Sequence, residues 1–203
     1  MTSEQITQQI IHVKAALEKT SAASSDFDLN PDVVLPAGQK LRSAAVLVGL
    51  VPRDGTLQVI LTKRSSKLKH HPGQIAFPGG KVEDSDADVV AAALREAQEE
   101  VGMPPEMVEV LGQLPSHETV TGFTMTPVLA LVDDRFVATA DPSEVAEVFE
   151  VPLAHLSDPN RFAIQSRRWR GQQRHYFTVP FGPYYIWGAT ARILRGLAER
   201  MST

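Results

Sequence analysis

A glycine turn that leads into a helix crowded with acids constrains this chain more than any other stretch. The turn is Phe77-Pro78-Gly79-Gly80, and the helix carries Arg95-Glu96-Ala97-Gln98-Glu99-Glu100. Glu96, Glu99 and Glu100 stand at i, i+3 and i+4, which on an α-helix makes them neighbours on one face, with Cβ atoms about 5–6 Å apart. Arg95 is the only basic residue beside them, and at roughly 100° per residue it is expected to point away. Three like charges so close repel and raise one another's pKa, a poor arrangement for stability alone. A hard divalent cation with oxygen ligands resolves the conflict. Acidic helix faces are often merely solvated, so the setting decides. Val90, Ala93, Leu94, Ala97 and Val101 form an apolar stripe that docks the helix on a core. Ser85 or Asp86 is placed to cap its start, and Gly102 to stop it. Gly79 and Gly80 lack a Cβ, so their backbone groups can approach a ligand closely. A glycine turn followed by acids on an anchored helix is the order expected of a metal–phosphate site.

These residues resemble the Nudix box, G-x5-E-x7-R-E-U-x-E-E-x-G-U, in which U is a bulky aliphatic. Gly80, Arg95, Glu96, Glu99, Glu100, Gly102 and Met103 match it. Asp86 replaces the first Glu, eight residues rather than seven separate it from Arg95, and Ala97 is small for its U position. A second motif precedes the box: Ile60-Leu61-Thr62-Lys63-Arg64-Ser65, then Lys69, Gly73 and the glycine turn. It is similar to the signature LLTxR-[SA]-x3-R-x3-G-x3-FPGG of the coenzyme A pyrophosphatase branch of Nudix hydrolases. Ile60 stands for the first Leu and Lys69 for the second Arg; Lys keeps the charge and loses the bidentate fork. The run from Tyr185 to Leu194 also resembles that branch, so the likeness extends from about residue 40 to the last residue.

The resemblance implies an α/β fold, the Nudix-like α/β/α sandwich with a mixed sheet, over residues 40–203, with residues 1–39 as an N-terminal helix and linker extension. It implies that Glu96, Glu99 and Glu100, with the Gly80 carbonyl, hold Mg²⁺ or Mn²⁺. Asp86 would support the loop through Arg95, and Arg64, Lys69, Gly79 and Gly80 would bind substrate. A further carboxylate from a later loop, Glu144 by position with Glu147 second, would ligate metal or act as general base, the base being otherwise one of the catalytic helix acids Glu96, Glu99 and Glu100. The implied reaction is hydrolysis of the pyrophosphate bond of coenzyme A (CoA) or an acyl-CoA to 3′,5′-ADP and a 4′-phosphopantetheine species, by a homodimer. Two alternatives stand beside it. One is a Nudix pyrophosphatase for another nucleoside diphosphate derivative such as ADP-ribose. The other is a non-catalytic Nudix-like module that binds a nucleotide and regulates a partner.

Charge distribution points to the same ligand class. Residues 63–71 hold four Lys or Arg and two His without an acid, residues 83–106 hold eight acids against Arg95, and residues 167–174 hold four arginines. Acids flanked by basic segments suit a small polyanion, whereas a nucleic-acid binder would show a net basic domain; the net charge here is −4. No apolar run approaches the roughly 18 residues of a membrane span, no secretory signal is visible, and there are no cysteines for thiol chemistry. A cytoplasmic location is the expectation.

Apolar periodicity predicts helices over residues 4–18 and 184–200, and a short one after Pro152. Strands are expected over 43–51, 57–62, 107–114, 125–132, 162–169 and 176–179, with Asp54-Gly55 as a hairpin turn. Residues 22–39, with Pro31, Pro36 and Gly38, read as a linker. The 116–123 loop offers His117, Glu118 and Phe123 near the site, each a weaker candidate than the helix acids. Trp187 reads as packing, the 167–174 arginines as a solvated hairpin within reach of a phosphate, and His70 and His71 as exposed loop residues.

Overall fold

A computed structural model describes residues 3–20, 22–33, 38, 40–169 and 171–202. Helix α1 (Ser3–Glu18) is followed by strands β1 (Ser24–Ser25), β2 (Arg42–Arg53), β3 (Thr56–Arg64), β4 (Ile75–Ala76) and β5 (Gly79–Lys81), then helix α2 (Val89–Val101). Strands β6 (Val108–Gln113), β7 (His117–Glu118), β8 (Phe123–Val132) and β9 (Val145–Pro152) come next. The chain continues through α3 (Leu153–Leu156), the hairpin β10 (Ala163–Trp169) and β11 (Gln172–Thr178), and α4 (Ala189–Ser202).

Strand β2 is apolar at almost every position because both its faces are covered. Ala45, Leu47 and Val51 face the layer of α2, while Val46, Val48 and Leu50 join the cluster that includes Val13 and Ala16 of α1 and Leu194 and Leu197 of α4. Helices thus lie on both faces of a mixed sheet, the expected α/β/α sandwich. The parallel ladder of β2 with β8 runs from Arg42–Phe123 to Leu50–Leu131 and forms the sheet's centre. The β2–β3 hairpin turns where expected, with Asp54 at φ 47° and Gly55 at φ 81°, the two positive angles of a type I′ turn.

The hairpin stays paired only from Arg53–Thr56 to Leu50–Val59. Beyond that point β3 continues along β9 and takes up β4, while β2 takes β5 as its neighbour at Ala44–Val46. The residues before β5 enter this split: the Leu47 N–H donates to the Pro78 carbonyl at 2.8 Å. Divergence of two strands therefore creates the space in which the glycine turn sits.

Several local expectations need correction. The segment after α1 is not a plain linker: β1 pairs with β7, and the Asn30 side chain donates to the Asp26 and His175 carbonyls. Residues 34–37 and 39 lie outside the described residues. The 163–178 hairpin is tighter than expected, Trp169 pairing with Gln172, so Arg174 stands in a strand rather than in the turn. The last helix begins at Ala189 instead of Tyr184, because Gly188 adopts φ 66° and its N–H goes to the Phe177 carbonyl. The two-residue strands β1, β4 and β7, and β5 at the glycines, leave no periodic signal to read. Among the described residues no helix is long and apolar enough to cross a membrane.

Candidate active site

Helix α2 starts at Asp88, whose Oδ1 accepts from the Ala91 N–H at 2.8 Å, rather than at Ser85 or Asp86. It ends at Gly102 in the left-handed conformation, as expected. Ala92, Ala93 and Ala97 on its inner face are fully buried. Such small side chains let the helix lie close to the sheet, and this closeness carries Glu96 and Glu100 against the glycine turn.

Glu100 is 3% exposed. Its Oε2 accepts from the Gly79 N–H at 3.1 Å, and its Oε1 lies 3.9 Å from Nη1 of Arg64. Burial, reinforced by the charges of Glu96 and Glu144, pushes its pKa up to about 7 against the opposing pull of the Gly79 N–H and Arg64. Glu96 is also raised, chiefly by burial, with Glu99 and Glu144 adding to it and Arg95 opposing. A Cβ on Gly80 would stand 2.4 Å from Oε1 of Glu96, so only glycine leaves that carboxylate where it is. Gly79 is equally restricted, by the backbone of Ala45 and Val46.

Arg95 does not point away from the acids. Its Nη1 donates to Glu96 Oε1 at 3.1 Å and Glu99 Oε2 at 3.0 Å, and its Nε and Nη2 grip Asp86 at 2.9 and 3.0 Å. Nη2 also donates to the Lys81 carbonyl. A long side chain anchored at its tip by Asp86 overrides the helical angle at its root. Asp86, held below the usual carboxylate range by this guanidinium, therefore ties the 81–86 loop to the helix despite the changed residue and spacing.

The other candidates divide. Glu144 is exposed, but its carbonyl accepts from the Ser65 N–H at 2.7 Å, which fastens it to the end of β3, and both Glu96 and Glu100 feel its charge. Glu147 is engaged elsewhere, accepting from the Tyr184 hydroxyl at 2.5 Å. Arg64 faces Glu100, while Lys69 is exposed in the loop after β3. His117 is fully buried between Ser24 Oγ at 3.0 Å and Asp26 Oδ1 at 3.2 Å, a structural role. His117→Ala is therefore expected to cost about 2–4 kcal/mol in chemical denaturation, from a cavity and orphaned polar groups, with kcat nearly unchanged. Phe123 lies beneath the Arg42 guanidinium at 4.1 Å, and Trp187 meets Tyr176 edge-on at 5.0 Å.

Among the described residues no three acidic or histidine side chains converge on one ion position; Glu96 and Glu99 each give an oxygen to Arg95 instead. The donors nonetheless fit a hard cation: two carboxylates raised by burial and by neighbouring acids, under a backbone without Cβ atoms, favour an oxygen-seeking positive charge.

The sequence pattern of the NUDIX domain matches residues 40–171. The chain belongs to the Nudix family. A protein of Citrobacter koseri called an uncharacterized Nudix hydrolase NudL is 42% identical over 186 residues, covering 90% of this chain and 96% of its own. A protein of the same description from Enterobacter sp. is 45% identical over 157 residues, 77% of this chain and 81% of its own. Among solved structures, the MutT protein from Methanosarcina mazei Go1 has a TM-score of 0.51 at 17% identity, covering 82% of this chain and 96% of its own, and shares the fold.

In this Nudix hydrolase, Arg95→Lys is expected to lower kcat/KM by about 10- to 100-fold, the usual cost of losing a group that orients a site's ligands. The reason is that a lysine cannot grip Asp86 with two parallel hydrogen bonds and still reach Glu96 and Glu99. Steady-state kinetics at saturating Mn²⁺ checks it.

Proposed function

We propose that this Nudix hydrolase cleaves the pyrophosphate bond of CoA or an acyl-CoA, giving 3′,5′-ADP and a 4′-phosphopantetheine species, with Mg²⁺ or Mn²⁺. The observation that carries the reading is the buried Glu100 carboxylate beside Glu96 and the two glycines, a concentration of negative charge that a divalent cation and a diphosphate would balance. Glu96, Glu99, Glu100 and the Gly80 carbonyl would hold the metal. When bound, it supplies neutralisation of the diphosphate oxygens and a lowered pKa for its water. The chain's own contribution is orientation and proton handling. Arg64, next to Glu100, and Lys69 on the adjoining loop would place phosphate groups. Glu144, exposed and within the electrostatic reach of both buried acids, is the residue we assign to proton removal from the attacking water.

The CoA assignment is supported by the likeness of residues 60–80 and 185–194 to the CoA pyrophosphatase branch, and by the basic segments 63–71 and 167–174, which suit a substrate with several phosphates. The test is incubation of the pure protein with CoA and Mn²⁺ and chromatographic detection of 3′,5′-ADP. Turnover of ADP-ribose without that product would replace the substrate and keep the chemistry. Absence of any turnover, with nucleotide binding retained, would favour a regulator. A homodimer in the cytoplasm belongs to the same reading, and light scattering tests its assembly.

A further inference from the structure

The β10–β11 hairpin and the stretch before α4 bring a cation and three aromatic rings toward the loop that follows β3. Arg167, on β10, lays its guanidinium over Trp187 with Cζ 4.3 Å from the ring centre. Trp187 is braced edge-on by Tyr176 at 5.0 Å, and the hydroxyls of Tyr176 and Tyr185 lie 3.3 Å apart. The charges of Arg64 and Arg167 both bear on His71, whose ring hydrogen-bonds Gln74. The Arg64 N–H in turn donates to the Gln74 carbonyl, and Gly188, next to Trp187, approaches the Gln74 side chain. A chain of contacts therefore leads from Glu100 through Arg64 and Gln74 to Gly188, Trp187 and Arg167.

The way Arg167 is held is informative. Among the described residues no carboxylate lies within ion-pairing distance of it. Contact with the face of an indole fixes the guanidinium plane without using its N–H groups. A surface ion pair would have consumed those donors. The result is a steadied fork with its donors available, joined to the glutamate site through Trp187, Gln74 and Arg64, a geometry suited to bidentate recognition of a phosphate monoester. Arg64, against Glu100, is the cation placed for the scissile diphosphate, so the anion at Arg167 is a different one.

Building on the proposed function, we infer that Arg167, steadied by Trp187, binds the 3′-phosphate of the substrate's adenosine and makes the enzyme selective for 3′-phosphorylated nucleotides. No bond changes there; Arg167 is a specificity residue.

The experiment compares kcat/KM for CoA and 3′-dephospho-CoA in the natural protein, Arg167→Gln and Arg167→Lys, alongside calorimetric affinities for 3′,5′-ADP and AMP. The expected preference for CoA is about 10- to 100-fold, the worth of a charge-assisted bidentate contact, and it lies mainly in KM. In Arg167→Gln that ratio falls toward one, Arg167→Lys restores part of it, and the advantage of 3′,5′-ADP over AMP falls in parallel. A natural protein without the preference, or an Arg167→Gln variant that keeps it, overturns the role of Arg167 while CoA hydrolysis stands. Failure to hydrolyse either compound, with equal affinity for 3′,5′-ADP and AMP, overturns both readings.

Discussion

Glu100→Gln is expected to lower kcat/KM by roughly 10³-fold or more, because a charged metal ligand becomes a neutral amide of nearly the same shape. The same variant is expected to make the metal-free protein more stable above neutral pH. The sign follows from protonation. Below pH 4.5 the carboxyl is neutral in both folded and unfolded chains. Between pH 4.5 and about 7 the unfolded chain releases the proton while the folded one retains it. Stability therefore declines across that window as pH rises, by about 3 kcal/mol in total for this group. Glutamine removes the slope. Glu96, also raised, contributes in the same direction and remains in the variant. Melting temperature against pH, with chelator and then with Mn²⁺, separates the effects. Mn²⁺ should stabilise the natural protein more than the variant at pH 8. Parallel pH profiles for the two proteins would show that the buried carboxyl carries no such penalty, and undiminished turnover would remove the helix acids from the chemistry.

Substituting the two adjacent glycines should have opposite consequences. Gly79→Ala drives a methyl to 2.4 Å from the Ala45 carbonyl oxygen and 2.6 Å from Val46 Cα, both backbone atoms of β2, at a residue with φ 154°. Nothing there can yield without disturbing the β2–β5 ladder, so a loss of roughly 2–5 kcal/mol is expected from overpacking and backbone strain. At Gly80→Ala the three atoms nearest the added methyl all belong to the end of the Glu96 side chain. That carboxylate can swing aside, so stability should change by less than about 1 kcal/mol, as for most substitutions outside the core. Activity should fall by about 100-fold or more, since displacing a group by even 1 Å can cost that much. Denaturant titration and kinetics on the two alanine variants test this directly. A Gly80→Ala enzyme with normal turnover would show that the placement of Glu96 under the turn is immaterial.

Much of this was legible in residue order. The apolar run of β2, the Asp54-Gly55 turn, the acids at i, i+3 and i+4 and the Gly102 stop are local patterns, and local patterns fix helices, turns and the acid face of α2. Legibility failed where a side chain's partner is remote in sequence. The helical angle placed Arg95 away from the acids, but Asp86, nine residues earlier, holds its tip among them. Position alone could not separate Glu144 from Glu147. The Ser65 N–H fastens the backbone of the first beside the buried acids, and the Tyr184 hydroxyl claims the carboxylate of the second. His117 carries no mark of burial in the sequence, since its partners Ser24 and Asp26 arrive through the β1–β7 pairing.

The sequence by itself determined which groups carry charge and on which helix face they stand, because side-chain spacing along one helix is set by backbone geometry. Only the tertiary structure decided which of those charges are desolvated. Divergence of β2 from β3 admits the glycine turn, and three buried alanines of α2 bring the helix against it. Burial then raises Glu100 and Glu96, while Glu99, on the same helix face, stays in solvent.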